Sequence, residues 1–324
     1  YFHNDPLTMN GSKTKTDREY LLNITSKIIF NSQWSKKRFL EKLEVSTINS
    51  DKLLVIYQSA DKPKINFKVK KKWITFVGKL NTAKGYDLFG AAVIKILKKF
   101  KDWHGVVIGD EPRQKLFFNH PRLKKHGFLN HKAVLNIYSK SSIAVACSRW
   151  NEPLGRTSLE ASSRGCAVII SNRGGLPETI THGVILKKLS SKSVYSAVDN
   201  LITNSKKLKK LQKLSYKNFH HTHKAAVRKI DEYRSILLSR KINSIRSYYK
   251  GENLKILHVT NFNERHDSRL FFNTGRRLNN GFIRLGHSVL EFSDRDIVKH
   301  YKSVSDYNGS KSLNEKFVKV VENF

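Results

Sequence analysis

The stretch IAVACSRWNEPLGRTSLEASSRGCAVIIS, residues 143–171, predicts a strand, a loop, a helix and a second strand. IAVACS at its start and AVIIS at its end are continuous apolar runs, the pattern of strands that are buried on both faces of a parallel sheet. Pro153 and Gly155 precede the helix, which is predicted over 157–164 with Gly165 at its C-cap position. A strand–helix–strand unit of this length is the building block of a doubly wound α/β domain.

The same alternation continues on both sides of this stretch. Continuous apolar runs alternate with segments of helical periodicity, so the sequence predicts an α/β fold with a parallel sheet. Further strands are predicted at 73–78 and 105–109, with weaker candidates at 126–129 and 184–187, and helices at 86–100, 131–140, 191–204, 206–219 and 223–238.

Shorter units of the same kind precede and follow this region. Ser32 is predicted to cap a helix that lies between two strands. Strands are predicted at 27–32, 51–59, 254–262 and 287–294, and a helix at 270–286. The chain starts at Tyr1 and stops within an apolar periodic pattern, so we expect a fragment that is truncated at both ends.

The composition is that of a folded globular chain. Of the 324 residues, 39% are apolar and 10% aromatic, which excludes a disordered protein. No run of about 18 apolar residues is present, so the sequence predicts no transmembrane span. Cys147 and Cys166 lie in small-apolar contexts without metal-ligand spacing, and we expect buried, reduced thiols of a cytoplasmic protein.

The charge is strongly basic, with 61 Lys and Arg against 26 Asp and Glu and a net charge of +35. Three interpretations are open: a generally solvated basic surface, affinity for an anionic membrane surface, and dedicated nucleic-acid binding. The lysine runs at 68–73, 206–213 and 311–319 are spread along the chain and lack the interleaved aromatic residues of single-strand binders. This distribution disfavours a dedicated nucleic-acid site.

Three loops should lie at the carboxyl ends of the predicted strands, where open α/β sheets bind their ligands. The first, VGKLNTAKGYD, follows the strand 73–78 and places Lys79 and Lys84 beside Gly78 and Gly85. Two cations at a flexible turn suit a pyrophosphate. Two solvated lysines are the plainer alternative.

The second loop carries two carboxylates, Glu152 and Glu160, on either side of a turn. Because Pro153 and Gly155 force that turn, the helix begins near Gly155 to Thr157, and its free N–H groups favour an anion. We therefore expect phosphate at the helix start, with one acid on the loop and one in the helix. The alternative is a solvent-exposed loop acid and an acid that merely balances the helix dipole.

The third loop, SNRGGLPET at 171–179, contains Gly174 and Gly175. Consecutive glycines let a backbone approach a ligand closely, although an ordinary glycine-rich turn has the same sequence. Glu178 follows near the start of a short helix.

These motifs together resemble those of a known enzyme family. GKLNTAKG at 78–85, GDEP at 109–112 and CSRWNEPLGRTSLEASSRGCAVIISNRGGLPE at 147–178 are similar to the donor-binding domain of retaining glycosyltransferases of the GT-B fold, the large family 4. The E-x7-E signature of that family falls on Glu152 and Glu160. The resemblance implies Rossmann-like domains in a GT-B architecture and a nucleotide-sugar donor, with no metal ion or other cofactor.

The resemblance also implies roles for individual residues. Lys79 and Lys84 would bind the donor diphosphate, and Lys79 stands where the family usually has Arg, which keeps the charge but loses the planar fork. Glu152 would hold hydroxyls of the transferred sugar, and Glu160 the nucleotide ribose. His3, in the opening YFHNDP, resembles a histidine that lies near the transferred sugar, and an interdomain surface histidine is the alternative. The implied catalytic set is Glu152, His3 and Lys84, and the donor-binding set is Gly78, Lys79, Lys84, Glu152, Gly155, Arg156, Thr157, Ser158, Glu160, Gly174 and Gly175.

The resemblance covers about residues 1–238 and is most specific within 73–188. It implies the following organisation: the C-terminal part of an acceptor-side domain at 1–60, a linker at 61–72, the donor-binding domain at 73–222, a closing helix at 223–238, a second linker at 239–253, and the start of a second Rossmann-like, glycosyltransferase-like domain at 254–324. The last segment fits any Rossmann-like start nearly as well.

The implied function is hexosyl transfer from a UDP- or GDP-sugar to a glycan or lipid-linked acceptor, in cell-surface polysaccharide synthesis. The protein would be cytoplasmic and peripheral at the inner face of the cell membrane. A non-catalytic nucleotide- or glycan-binding module at a membrane surface is the alternative. A metal site at the cluster of His220, His221 and His223 is disfavoured, because no acid or cysteine stands at ligand spacing.

Overall fold

The computed structural model describes residues 1–44, 48–246, 252–262 and 274–324, with the backbone alone at 240–246. These residues form two compact units, Tyr1–Ile230 and Asp231–Phe324. The fold class predicted from the sequence is confirmed, since both units are α/β structures with parallel strands.

Residues 1–60 fold as a small α/β layer within the first unit. Its elements are α1 (Lys15–Ile24), β1 (Ile28–Phe30), α2 (Gln33–Leu40) and β2 (Leu53–Val55). β1 and β2 pair in parallel, and Phe30 and Phe39 are fully buried between the strands and helices. Ser32 caps α2 as predicted, since its Oγ accepts a hydrogen bond of 2.9 Å from the Ser35 N–H.

A parallel sheet of six strands is the centre of the first unit. The strands are β3 (Lys71–Val77), β4 (His104–Ile108), β5 (Leu123–Lys125), β6 (Ser141–Ala146), β7 (Ala167–Ser171) and β8 (Val184–Leu186). They run in the order β5-β4-β3-β6-β7-β8, so the earliest strand lies in the middle and the order reverses between β3 and β6. In such sheets the ligand lies outside the carboxyl ends of the two strands at the reversal.

Helices cover both faces of this sheet. They are α3 (Tyr86–Lys99), α4 (His131–Lys140), α5 (Arg156–Ser163), α6 (Ser191–Thr203) and α7 (Ser205–Lys217). The next helix, α8 (His223–Arg246), begins within the residues of the first unit and ends within those of the second. Apolar residues of α3 and α6 form one core with Phe76 and Val107, and those of α4 and α5 form the other with Val106 and Ile108. Because each strand sends alternate side chains to opposite cores, its sequence is a continuous apolar run.

One strand prediction is wrong. Residues 126–129 form no strand, and the edge strand β5 lies just before them at Leu123–Lys125. Only Leu123 of that strand is buried, so it has no continuous apolar run to predict it. The strands predicted at 73–78, 105–109, 143–148, 167–171 and 184–187 are confirmed within one or two residues at their ends.

The helix predicted over 223–238 is longer than expected. It continues to Arg246 and so occupies the first part of the predicted linker 239–253. No glycine or proline interrupts the sequence between His223 and Gly251, so nothing local ends the helix at 238. Residues 247–251 of the predicted linker lie outside the described residues.

The second unit contains the predicted strand–helix–strand pattern. Its elements are β9 (Lys255–Thr260), α9 (Thr274–Arg284), β10 (Ser288–Ser293), α10 (Asp294–His300) and α11 (Ser310–Asn323), and the two strands pair in parallel. The start of the predicted helix 270–286 and the loop before it lie outside the described residues. Among the helices of the described residues, none has the length and apolar character that crossing a bilayer requires.

Candidate functional site

The loops after β3 and β6 meet at the point where the strand order reverses. The backbone N–H groups of Arg149 and Trp150 donate to the carbonyl of Ala83 at 2.8 and 3.0 Å. The Arg149 guanidinium binds the Asp87 carboxylate through two nitrogens, each at 2.6 Å. Such bidentate pairs fix orientation as well as distance, so the two predicted loops form one structure.

Gly85 lets the two loops approach each other. It precedes α3 with a φ of 75°, in the left-handed region that favours glycine. A Cβ at this position would lie 1.9 Å from the carbonyl oxygen of Cys147. Gly78, at the end of β3, is packed in the same way, because a Cβ on Gly109 would lie 1.9 Å from its carbonyl oxygen.

The close approach brings Lys84 and Glu152 together. Lys84 Nζ lies 2.5 Å from Glu152 Oε1, and the Glu152 side chain is only 13% exposed. Glu152 Oε2 accepts no hydrogen bond from the described residues. One ion pair therefore joins Lys84, the residue predicted to bind the diphosphate, with Glu152, the residue predicted to bind the sugar.

Two residues that sequence reasoning missed hold Lys84 in place. Asn81 Oδ1 accepts from the Lys84 N–H at 3.0 Å, and Asn81 Nδ2 donates to Glu111 Oε2 at 3.0 Å. The hydrogen bond from the Arg113 guanidinium, with a smaller contribution from that of Asn81, lowers the pKa of Glu111 to about 2. Glu111 is thus an anion throughout the physiological range, and GDEP at 109–112 is the signal that could have identified it.

The start of α5 offers free amide groups. Gly155 is its N-cap with a φ of 104°, and no side chain caps the helix. The Ser158 hydroxyl points inward, where it donates to the Gly155 carbonyl at 2.8 Å and shares a hydrogen bond of 2.7 Å with Thr179. The N–H groups of Arg156, Thr157 and Ser158 precede the first intrahelical hydrogen bond, so they are open to an anion.

Glu160 is buried one turn further along α5. Its Oε1 lies 3.0 Å from His131 Nε2 and 3.1 Å from a nitrogen of Arg156. Its Oε2 accepts no hydrogen bond from the described residues. The carboxylate is therefore oriented by two exposed cationic or imidazole groups, with one oxygen left for a ligand.

Lys79 lies apart from these contacts. Its side chain is exposed, and its ammonium has no hydrogen-bond or ion-pair partner among the described residues. Gly78 places it directly after β3, at the edge of the sheet where Lys84 also lies. The lysine is available to an anionic ligand without the loss of any contact.

Gly174 and Gly175 contact the backbone of the second loop. A Cβ on Gly174 would lie 2.1 Å from the carbonyl oxygen of Glu152, and one on Gly175 would lie 2.4 Å from that of Pro153. The Gly175 N–H donates to the Glu152 carbonyl at 2.6 Å. Packing of one loop on another is sufficient to explain both glycines, without a ligand.

His3 lies at the carboxyl edge of the small sheet. Its carbonyl accepts from Asn31 Nδ2 at 2.8 Å, and its Nδ1 lies 2.9 Å from Gln58 Nε2. Partial burial lowers the pKa of the imidazole. Next to Asn31, the Ser32 hydroxyl donates to the carbonyl of Pro153 at 2.5 Å. The region of His3 is therefore linked to the residue that follows Glu152.

The histidine cluster serves a packing role. His221 packs against Tyr57 with a ring-centroid distance of 4.6 Å and an angle of 57° between the rings. Burial, with a smaller contribution from the neighbouring His220, lowers the pKa of His221 to about 4. Among the described residues, no group of three or more His, Cys, Asp and Glu is placed to hold a metal ion.

Comparison with known proteins shows which enzymes residues 58–218 resemble. Residues 58–218 match the family described as Glycosyl transferases group 1. The spore coat protein SA of Bacillus subtilis is 30% identical over 162 residues, which are 45% of this chain and 43% of that protein. The lipopolysaccharide core biosynthesis mannosyltransferase LpsB of Rhizobium meliloti is 30% identical over 123 residues, which are 35% of each chain. Residues 58–218 are thus similar to glycosyltransferase group 1 domains.

The fold is shared with solved glycosyltransferases of the GT-B type. The crystal structure of Anabaena HepE in complex with UDP and glucose has a TM-score of 0.58 at 17% identity, over 72% of this chain and 70% of that chain. A glycosyltransferase from Rickettsia africae has a TM-score of 0.57 at 20% identity, over 69% and 68% of the two chains. The chain spans less than half the length of either curated relative named above.

Proposed function

We propose that the chain carries the donor site of a retaining family 4 glycosyltransferase, which moves a sugar from a nucleotide diphosphate sugar to a glycan or lipid-linked acceptor in polysaccharide synthesis. The observation that carries this proposal is the Lys84–Glu152 pair at the reversal of strand order, beside the uncapped start of α5. A cation, a carboxylate and free N–H groups in one place match the diphosphate and the hydroxyls of such a donor.

The proposed chemistry is electrostatic. Transfer breaks the bond between the anomeric carbon of the sugar and an oxygen of the diphosphate, so negative charge develops on the leaving phosphate. Lys79 and Lys84 would meet that charge, together with the N–H groups at the start of α5. We expect the reaction to need neither a carboxylate nucleophile nor a metal ion.

The two carboxylates would hold the two ends of the donor. Glu152 and Glu160 each have one oxygen bound within the protein and one oxygen without a partner in the described part of the chain. A sugar hydroxyl on Glu152 Oε2 and a ribose hydroxyl on Glu160 Oε2 would use the free oxygens and keep the existing contacts. His3, on the side of the small sheet, would lie near the transferred sugar.

The first donor to test is a UDP-sugar. HepE, whose fold this chain shares, has been solved with UDP and glucose and also with UDP-glucose. The name of LpsB, a mannosyltransferase of lipopolysaccharide core synthesis, supports a glycan or lipid-linked acceptor.

The decisive experiment is calorimetric titration of the protein with UDP-glucose and with UDP. We expect binding by the wild type and a loss of roughly tenfold in affinity in Lys84→Met, about 1.4 kcal/mol. Lys188→Met is the matched control, because Lys188 is an exposed lysine that follows β8. Equal affinities in Lys84→Met and the wild type would contradict the assignment of the site.

A non-catalytic binding module is the second candidate. It is favoured by the internal ion pairs of Glu152 and Glu160, which could leave both acids inert. Release of glucose from UDP-glucose, followed by chromatography, separates the two functions. Turnover supports the enzyme, whereas tight binding without turnover across a panel of donors supports the module.

We also propose a cytoplasmic location with attachment to an anionic membrane surface. Cys147 and Cys166 are buried and free, which suits a reducing compartment. A groove of about 720 Å³ at the amino edge of the six-stranded sheet has several lysines and, among the described residues that line it, Asp102 as its one acid. Anionic lipid headgroups match this charge.

A further inference from the structure

We infer that Glu178 is a positioning residue that ties α2 to both halves of the candidate donor site. It acts through the segment Gly174–Thr179, the loop and short 3-10 helix after β7. The inference rests on the proposed function for its consequence in catalysis, while its structural content can be tested without any substrate.

The Glu178 carboxylate binds the first turn of α2. Its Oε2 accepts from the Gln33 N–H at 2.7 Å, and its Oε1 accepts from the Trp34 N–H at 2.9 Å. A carboxylate that receives two N–H groups at a helix start gains from charge-assisted hydrogen bonds and from the helix dipole. Tyr57 also bonds to Glu178, and burial, with a smaller contribution from this carboxylate, raises the pKa of the phenol to about 12.

The same segment holds the sugar end of the candidate site. Gly175, three residues before Glu178, donates its N–H to the Glu152 carbonyl at 2.6 Å. The segment is stiff between these points, because the Glu178 N–H donates to the Gly175 carbonyl at 3.0 Å. A displacement of Glu178 is therefore transmitted to the backbone of Glu152.

The segment also holds the phosphate end. Thr179 Oγ1 lies 2.7 Å from Ser158 Oγ, which donates to the Gly155 carbonyl at 2.8 Å. These hydroxyls are buried, so water cannot easily replace either bond. Thr179, the residue next to Glu178, thus holds the start of α5 in place.

A second tie closes the arrangement. The Ser32 hydroxyl, at the N-cap of α2, donates to the Pro153 carbonyl at 2.5 Å. The start of α2 is consequently joined to the loop of Glu152 both directly and through Glu178. Docking of α2 and ordering of the donor site are then coupled, and by linkage a ligand that orders one must favour the other.

Hydrogen–deuterium exchange of the full chain, read by mass spectrometry, tests this coupling without a ligand. In Glu178→Ala we expect roughly tenfold faster exchange in peptides covering 33–36, where the Gln33 and Trp34 N–H groups lose their acceptor. We expect the same in peptides covering 159–163 and 175–176, whose N–H groups are hydrogen-bonded in α5 and to the loop of Glu152. Glu178→Gln should be intermediate, because its NH2 group replaces one of the two acceptor oxygens and can only donate. Asp199→Ala is the control, because it removes an acid of α6 that is paired with Lys99 of α3. This variant should not change the exchange of any of these peptides.

Faster exchange confined to 33–36 would overturn the inference, since Glu178 would then be a local helix cap. UDP-glucose supplies the second arm: it should slow exchange at 33–36 in the wild type and have little effect there in Glu178→Ala. Absence of UDP-glucose binding to the wild type would count against the proposed donor, while the ligand-free comparison would still decide the role of Glu178.

Discussion

At the scale of single residues, the loop geometry depends on the absence of a side chain at Gly85. Ala at this position adds left-handed backbone strain and a Cβ only 1.9 Å from the Cys147 carbonyl. Gly127 is the matched control, with a φ of 63° and no atom within 4 Å of an added Cβ. We expect Gly127→Ala to lower the free energy of unfolding by about 1–2 kcal/mol and Gly85→Ala by at least about 2 kcal/mol more. Urea denaturation measures both, and equal losses would show that the loops do not need this close contact.

Individual residues show how far the sequence leads. That Lys84 and Glu152 lie close together was predictable, because each follows an apolar run that must be a buried strand, and the carboxyl ends of parallel strands meet at one edge. Glu178 was not assigned a role, because its partners Gln33 and Trp34 stand about 145 positions away. Lys70 looked like one more linker lysine, yet its ammonium donates to three carbonyls and burial lowers its pKa.

At the scale of elements, the turn between α7 and α8 attaches the segment after β2 to the domain. The Ala60 N–H donates to the His221 carbonyl at 3.0 Å, and the His221 ring packs against Tyr57. Burial holds the pKa of His221 at about 4, below its ordinary value of 6.5. The unfolded chain therefore takes up a proton that the folded chain does not, and stability is lost as the pH falls from 6.5 towards 4.

Replacing His221 should remove this pH dependence. We expect the thermal unfolding midpoint of the wild type to fall more steeply than that of His221→Gln between pH 6.5 and pH 4. Expressed as free energy of unfolding, the difference between the two proteins should stay below about 1.4 kcal/mol per pH unit, the limit for a fully shielded group. The reason is that the His221 ring keeps part of its solvent contact. Parallel curves for the two proteins would contradict the assignment.

Elements were predicted well where a local signal exists and poorly where it does not. β3, β4, β6 and β7 lie in the centre of the sheet and carry continuous apolar runs, whereas the edge strand β5 reads LKK and gave no signal. α8 extends past its predicted end because the sequence supplies no stop before Gly251. The pairing order of the strands depends on contacts between distant segments, and the alternation of strands and helices predicted only that the sheet is parallel.

At the scale of the whole molecule, the two ends of the strands in the six-stranded sheet differ in their balance of acids and lysines. Asp110, Glu111, Glu152 and Glu178 all follow the carboxyl ends of strands. The amino edge instead has a groove lined by Lys68, Lys70, Lys72, Lys209 and Lys213, with Asp102 paired to Lys72. We expect an anionic surface to bind this groove, which lies at the opposite ends of the strands from the candidate donor site.

Flotation with phosphatidylglycerol–phosphatidylcholine vesicles tests this orientation. We expect the wild type to float with these vesicles at low salt but not with phosphatidylcholine alone, and to be released as salt rises, because exposed charges are screened over about 10 Å at 0.1 M salt. Charge reversal at the amino edge, Lys209→Glu with Lys213→Glu, should abolish flotation. The same reversal at the carboxyl edge, Lys187→Glu with Lys188→Glu, changes the net charge equally and should have a smaller effect. Equal losses of flotation in the two double variants would show that net charge alone determines vesicle binding. Loss of wild-type flotation when a small amount of nucleic acid is added would make a polynucleotide the favoured partner of the lysine groove.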